Sequence, residues 1–186
     1  MGTLTVQTLQ APTSGANANK VLIPSGHTLD ASNGLTTPAG HVIQTAYTHF
    51  NTETSNTSET FADVSGASIS FTPKFASSNL IITTTYQMQV YSTSSSFAGG
   101  MVRIVHDGTN LDWTSQHYEN YREVDGNTGG VNFHFRDTKF IPVAASNTSA
   151  RTIKLQIAKY GSNTTHAKVN QGAYYWSVLK VEEIAQ

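Results

Sequence analysis

The sequence contains no cysteine, which removes disulfides, thiolate catalysis and cysteine-based zinc or iron–sulfur centres together. Charge is scarce as well. Asp, Glu, Lys and Arg make up 12% of the chain, against roughly 25% in an ordinary soluble domain. Eleven basic residues meet twelve acidic ones for a net charge of -1. With no basic field to gather phosphates and no Lys/Arg run to meet an anionic surface, neither nucleic acid nor membrane insertion is expected. No segment approaches the ~18 apolar residues of a membrane-spanning helix. Met1-Gly2-Thr3-Leu4-Thr5-Val6 lacks the charged and apolar regions of a secretion signal, so synthesis in a cytoplasm without a cleaved leader is expected. Helix-period patterns are almost absent, and a Gly-x-Ser-x-Gly elbow, a phosphate-binding glycine loop and a Cys–His pair are missing, which leaves no candidate nucleophile and no catalytic or cofactor site expected.

What is present begins with an echo. Pro24-Ser25-Gly26-His27-Thr28-Leu29 returns as Pro38-Ala39-Gly40-His41-Val42-Ile43. The repeat is too short for paired helices and fits two short strands joined by tight turns. Around it stand short apolar stretches, Leu4 with Val6 and Val21-Leu22-Ile23, broken by Pro, Gly, Ser and Asn. Such an arm cannot bury itself alone, and its leftover apolar strands point to docking or to self-association. The expected organisation is an extended β arm over 1–40 that anchors and trimerises, followed by a β domain over 41–186.

From Val42 onward, runs rich in Val, Ile, Thr, Phe and Tyr alternate with clusters of Gly, Ser and Asn, the pattern of an antiparallel sandwich. Strands are expected at 41–50, 58–64, 67–72, 79–92, 100–106, 109–114, 130–143, 151–160, 164–170 and 173–184. In the long fourth strand Ile82, Thr84, Tyr86, Met88 and Val90 share one face, which should be core. Asp107-Gly108 supplies the positive φ angles of a two-residue hairpin turn. Irregular connections are expected at 92–100 and 116–130. The second holds Tyr118, Tyr121 and Arg122, residue types that bury large area and still hydrogen-bond, which makes them candidates for contact with a receptor or partner.

The seven histidines do not pair at a metal-ligating spacing. His27 and His41 belong to the repeated turns, where Pro24, Gly26, Pro38 and Gly40 complete a candidate anchoring motif; His106 precedes the hairpin turn and His134 sits between two phenylalanines. No metal is expected. Carboxylates at Asp112, Glu119, Glu123, Asp125 and Asp137 are scattered rather than held as the pair about 5–9.5 Å apart that glycoside hydrolysis needs. Tyr86, Tyr91, Phe133, Phe135, Phe140, Tyr174, Tyr175 and Trp176 form an aromatic stripe. Aromatic strand residues usually fill a core or subunit interface rather than a sugar platform, and Trp176 is expected between the sheets.

Pro-Ser-Gly-His-Thr-Leu-Asp, then Pro-Ala-Gly-His-Val-Ile-Gln, then Phe61-Ala62-Asp63-Val64-Ser65-Gly66 with Ile69-Ser70-Phe71-Thr72-Pro73-Lys74, resemble the tail-fibre-like virion proteins of tailed phages, aquatic ones especially. The likeness covers most of 1–92, and the closing Val178-Leu179-Lys180-Val181-Glu182-Glu183-Ile184 is similar to that family's last strand. The resemblance implies a homotrimeric jelly-roll-like domain on an N-terminal arm, a virion location, and no enzyme activity. It implies as partners other copies of the chain and other virion proteins of the capsid or tail adaptor. A short fibre or a capsid decoration both fit. A receptor- or carbohydrate-binding module that meets a host-surface glycan is the alternative.

Overall fold

The computed structural model describes residues 13–16, 25, 38–93, 97–111, 120–123, 131–173 and 175–186; for 97, 120–123, 131–135, 137 and 173 the backbone alone is described. The chain divides into two units, 1–36 and 37–186. In the first, residues 13–16 make an exposed turn around Gly15, whose φ is +88°.

The described residues of the second unit are all β or connecting turns apart from one short 3-10 turn, Gln171–Ala173. Among its described residues eleven strands run in the order β1 Val42–Phe50, β2 Thr54–Asn56, β3 Ala62–Phe71, β4 Asn79–Ser92, β5 Phe97–His106, β6 Thr109–Asn110, β7 Asn120–Glu123, β8 Val131–Ala144, β9 Arg151–Tyr160, β10 His166–Val169 and β11 Ser177–Ile184. They form two antiparallel sheets packed as a jelly-roll-like sandwich. The first sheet is centred on β4, with β8 along one side of it. On its other side β11 and then β1 flank the first half, while β10 and β2 flank the second. The second sheet runs β3-β9-β5, with β6 and β7 both on the outer side of β5.

Period-two alternation builds the core. Ile82, Thr84, Tyr86, Met88 and Val90 of β4 are fully buried, as expected of that face, and all but Thr84 meet Ile104 of β5 and Ile153, Leu155 and Ile157 of β9 in one cluster. Leu179 and Val181 extend it along β11. Each such aliphatic side chain contributes ~1.5–3 kcal/mol by leaving water. The Asp107-Gly108 hairpin also forms, with φ of 49° and 82° and Val105 opposite Asn110.

β2 and β7 form where the sequence predicts no strand, and glycine takes part in three further departures from expectation. The strands expected at 58–64 and 67–72 are one strand, β3, with a shift of register between Asp63 and Ser68. Gly66, at φ +76°, lies in that bulge, where an added Cβ would stand 3.1 Å from Cβ of Phe50. The stretch 92–100 is not all connection, since β5 starts at Phe97. Gly99 and Gly100 are there for close packing: a Cβ on Gly100 would meet Met88 Cε at 2.0 Å and Val90 Cγ1 at 2.9 Å. The last strand begins at Ser177 instead of 173, because Asn170 (φ 56°) and Gly172 (φ 68°) turn the chain immediately before it.

One end of the sandwich is braced by two buried charged residues. Glu183 of β11, fully buried, accepts hydrogen bonds from the backbone N–H of Lys74 (2.9 Å) and Phe75 (2.9 Å), from Ser78 Oγ (2.6 Å) and from Gln44 Nε2 (2.7 Å). Arg151 of β9 donates to the carbonyls of Ala145 (2.7 Å) and Asn147 (2.8 Å) and to Asn147 Oδ1 (2.8 Å). The two clusters are joined by Ala145 N–H donating to the Ser78 carbonyl at 2.9 Å. Residues 38–41 lie at this same end. Pro38 C=O accepts from His41 N–H across a turn with Gly40 at φ +85°, and Gly40 N–H donates to Ala185 C=O at 2.8 Å.

Candidate functional site

The expected contact residues fall in different places. Tyr118 lies outside the described residues. Tyr121 and Arg122 stand on strand β7 and not in a loop, their backbones opposite Gly99 and Ala98 of β5; the apparent 116–130 connection is interrupted because β5 offers a free edge there. Of the candidate anchoring turns, Pro24, Gly26 and His27 lie outside the described residues, while Pro38, Gly40 and His41 form the turn beside Ala185. Asp112, Glu119 and Asp125 are likewise outside, and Glu123 and Asp137 are described by backbone alone. Among the described residues no group of three His, Asp or Glu side chains is placed to hold a metal ion.

The aromatic stripe splits. Tyr86 is core, but Phe140 is 64% exposed, Tyr175 40% and Trp176 65%; Phe133, Phe135 and Tyr174 have no described side chains. The expectation that Trp176 is buried is therefore wrong. Its physical reason is register: Ser177 is 1% exposed and on the core side, so the preceding residue points to the opposite face. Replacing Trp176 by alanine is accordingly expected to change folding stability by less than about 1 kcal/mol, the scale of an exposed aromatic contact. Urea unfolding checks this, and a loss of ~3 kcal/mol or more would put the ring back in the core.

On that outer face Trp176 has company that the sequence reading passed over. Tyr47 is 65% exposed and His49 is exposed too. The Tyr47 and His49 rings meet edge to face at 5.4 Å, and His49 meets Trp176 in the same way at 6.1 Å. The signal was available: Tyr47 and His49 are two apart in β1, out of phase with Ala46 and the buried Phe50. Arg136 Nη2 donates to the Trp176 carbonyl at 3.1 Å. Strand pairing continues the face sideways. Tyr47 lies opposite Lys180, Lys180 opposite Thr83 and Thr83 opposite Phe140. Lys180 pairs with Glu182 at 2.8 Å.

Further along the same sheet, Tyr91 stacks on His166 with ring centroids 5.1 Å apart. Burial and then the nearby Lys168 charge hold His166 below its ordinary pKa. Lys168 in turn pairs with Glu53 at 2.8 Å, and that hydrogen bond, with a second from Gly172 N–H, lowers the Glu53 carboxyl. No separated acid and base emerges from these groups; what the sheet presents is aromatic surface set among hydroxyls, amides and paired charges.

No known protein family and no curated protein matches the sequence. Among solved structures, the chain is similar to proteins of infectious bursal disease virus particles. With the VP2 subviral particle it shares 17% identity over 94% of this chain and 46% of that one, at a TM-score of 0.35. With the virus of the Gx strain it shares 16% identity over 88% of this chain and 41% of the other, at 0.34. With the T13 viral particle it shares 18% over 88% and 40%, at 0.35. The chain thus spans less than half the length of each of these solved chains.

Proposed function

We propose that this chain is a non-enzymatic structural protein of a bacteriophage virion, a homotrimeric surface appendage whose N-terminal arm docks on the particle and whose sandwich is displayed outward. The observation that carries the reading is the polarity of the sandwich. Residues 38–41 lie at the end braced by Glu183 and Arg151, whereas β7, with Tyr121 and Arg122, pairs with the opposite end of β5. The ten residues of β5 separate those ends by ~30 Å at the usual strand rise. The chain enters the sandwich at Pro38, at one end, and the far end is left for outward display in this reading, a layout that suits a short fibre or a capsid decoration. The repeated Pro-x-Gly-His turns and the phage-like motifs of 1–92 support the same reading.

The test is attachment. Full-length protein is expected to sediment with particles and to scatter light as a trimer, and deletion of 1–36, which spares the Pro38–His41 turn, is expected to abolish attachment while leaving the β-sheet circular dichroism. A truncated protein that still sediments with particles, or a full-length monomer at micromolar concentration, would overturn the proposal. The exposed ladder of Tyr47, His49 and Trp176 favours a second reading, a carbohydrate-binding module acting in host adsorption.

A further inference from the structure

We infer that the outer face of the β4-centred sheet binds an oligosaccharide, stacked on Tyr47 and Trp176 and hydrogen-bonded by the polar side chains between and beside them. The inference rests on the adsorption reading and needs neither the arm nor the trimer. It starts from how exposure is distributed. The described residues include six large, exposed apolar side chains: Val42, Tyr47, Phe75, Phe140, Tyr175 and Trp176. Four of them, Val42, Tyr47, Phe140 and Trp176, share this one face by register and alternation.

The face is not a dry patch. The row from Tyr47 to Phe140 crosses Lys180 and Thr83, and the next one runs from His49 through Val178 and Thr85 to Thr138. Tyr47 and Phe140 therefore stand three strand spacings apart, ~14 Å, as aromatic posts on either side of a polar floor. A second protein copy laid over this floor would bury the Lys180–Glu182 pair and the threonine hydroxyls, which costs desolvation that flat packing does not return. The cores of protein interfaces are depleted in Lys and Glu for that reason. A sugar chain has the complementary chemistry. Its C–H faces lie on aromatic rings, and its hydroxyls exchange hydrogen bonds with Lys, Thr and Arg in place of water.

The rings are also held in advance. His49 sits edge-on between Tyr47 and Trp176, at 72° to one and 78° to the other, so both are braced by one neighbour. Arg136 fixes the Trp176 carbonyl with one N–H out of the five a guanidinium carries. Side chains with two χ angles, braced before binding, lose little entropy when a ligand arrives.

The experiment uses the full chain without particles, titrated against a printed panel of bacterial-surface oligosaccharides, neutral and uronate-containing, with the best member followed by calorimetry. Binding of at least one member is expected. Trp176→Ala and Tyr47→Ala should each weaken it tenfold or more, Trp176→Phe should retain part of it, and melting temperature and light-scattering mass should stay at the wild-type values. No binding by the folded wild type, or equal binding by both alanine variants, overturns the site. A change in oligomer mass in Trp176→Ala also overturns it, because the occupant is then another copy of the chain. Particle attachment is scored separately by sedimentation, so failure of the virion reading and failure of this site give different results.

Discussion

Glu183→Ala is expected to cost ~3–5 kcal/mol of folding stability, because removing a buried carboxylate that accepts several hydrogen bonds leaves more than one donor unpaired. The carboxylate is fully buried and is reached by four donors, two of them the backbone N–H groups of Lys74 and Phe75. Those donors cannot follow a shorter side chain, and each one stranded away from water costs about 1–3 kcal/mol. Glu183→Gln keeps the volume but turns an amide N–H toward other donors, so a smaller loss in the same direction is expected. Burial raises the Glu183 pKa, but the hydrogen bonds from Ser78, Lys74, Phe75 and Gln44 together outweigh it and leave the group below its ordinary value. A lowered folded pKa means the unfolded chain takes up the proton first. The stabilisation is therefore complete above the unfolded value of about 4.3 and is lost as pH falls through the folded one. Urea midpoints at pH 7 and pH 3 test both parts: the gap between wild type and Glu183→Gln should be wide at pH 7 and narrow at pH 3. An equal gap at both would mean the charge is not what the pocket holds.

This residue also shows how far the sequence could be read. Alternation in Leu179, Val181 and Glu183 places all three on the core side of one strand, and the burial agrees. What alternation cannot show is that a loop more than a hundred residues away supplies the donors that make a buried carboxylate tolerable. The same division runs through the chain. The core face of β4, the Asp107-Gly108 turn and the sandwich itself were legible because they follow from period-two patterning and local backbone preference. Gly99 and Gly100 misled because glycine marks both loops and close packing, and only Met88, Val90 and Tyr160 across the gap distinguish the two. Trp176 misled because a ring's hydrophobicity favours burial, whereas parity with the inward Ser177, Leu179, Val181 and Glu183 puts position 176 on the outer face. Tyr47 and His49 were visible as an i, i+2 pair, yet their meeting with Trp176 depends on the pairing of β1 with β11.

The largest remaining effect is expected at Arg151. It is 6% exposed, and no carboxylate partners it among the described residues. Its charge is offset by carbonyl dipoles, at Ala145, Asn147 and Ser149, by Asn147 Oδ1, and by His106 Nε2 at 3.3 Å. Arg151→Ala is expected to lose ~2–4 kcal/mol: the exposed carbonyls of Asn147 and Ser149 can turn to water, whereas Ala145 is buried and its carbonyl is left without the donor. Arg151→Lys should recover only part of this, because a single ammonium cannot span acceptors that a planar fork reaches together. His106 must accept from Arg151, which puts its own proton on Nδ1. Burial and then the Arg151 charge hold its pKa below the ordinary value, so the unfolded chain binds that proton first and stability falls as pH drops below about 6.5. Melting curves from pH 8 to pH 5 should show this slope flattened in Arg151→Ala, which removes one of the two causes and leaves burial. Because Ala145 N–H donates to Ser78 C=O, and Ser78 Oγ to Glu183, the two clusters share a partner. The double variant Glu183→Gln with Arg151→Ala should therefore depart from additivity by ~0.5 kcal/mol or more; strictly additive losses would show two independent braces at this end of the sandwich instead of one network spanning both sheets.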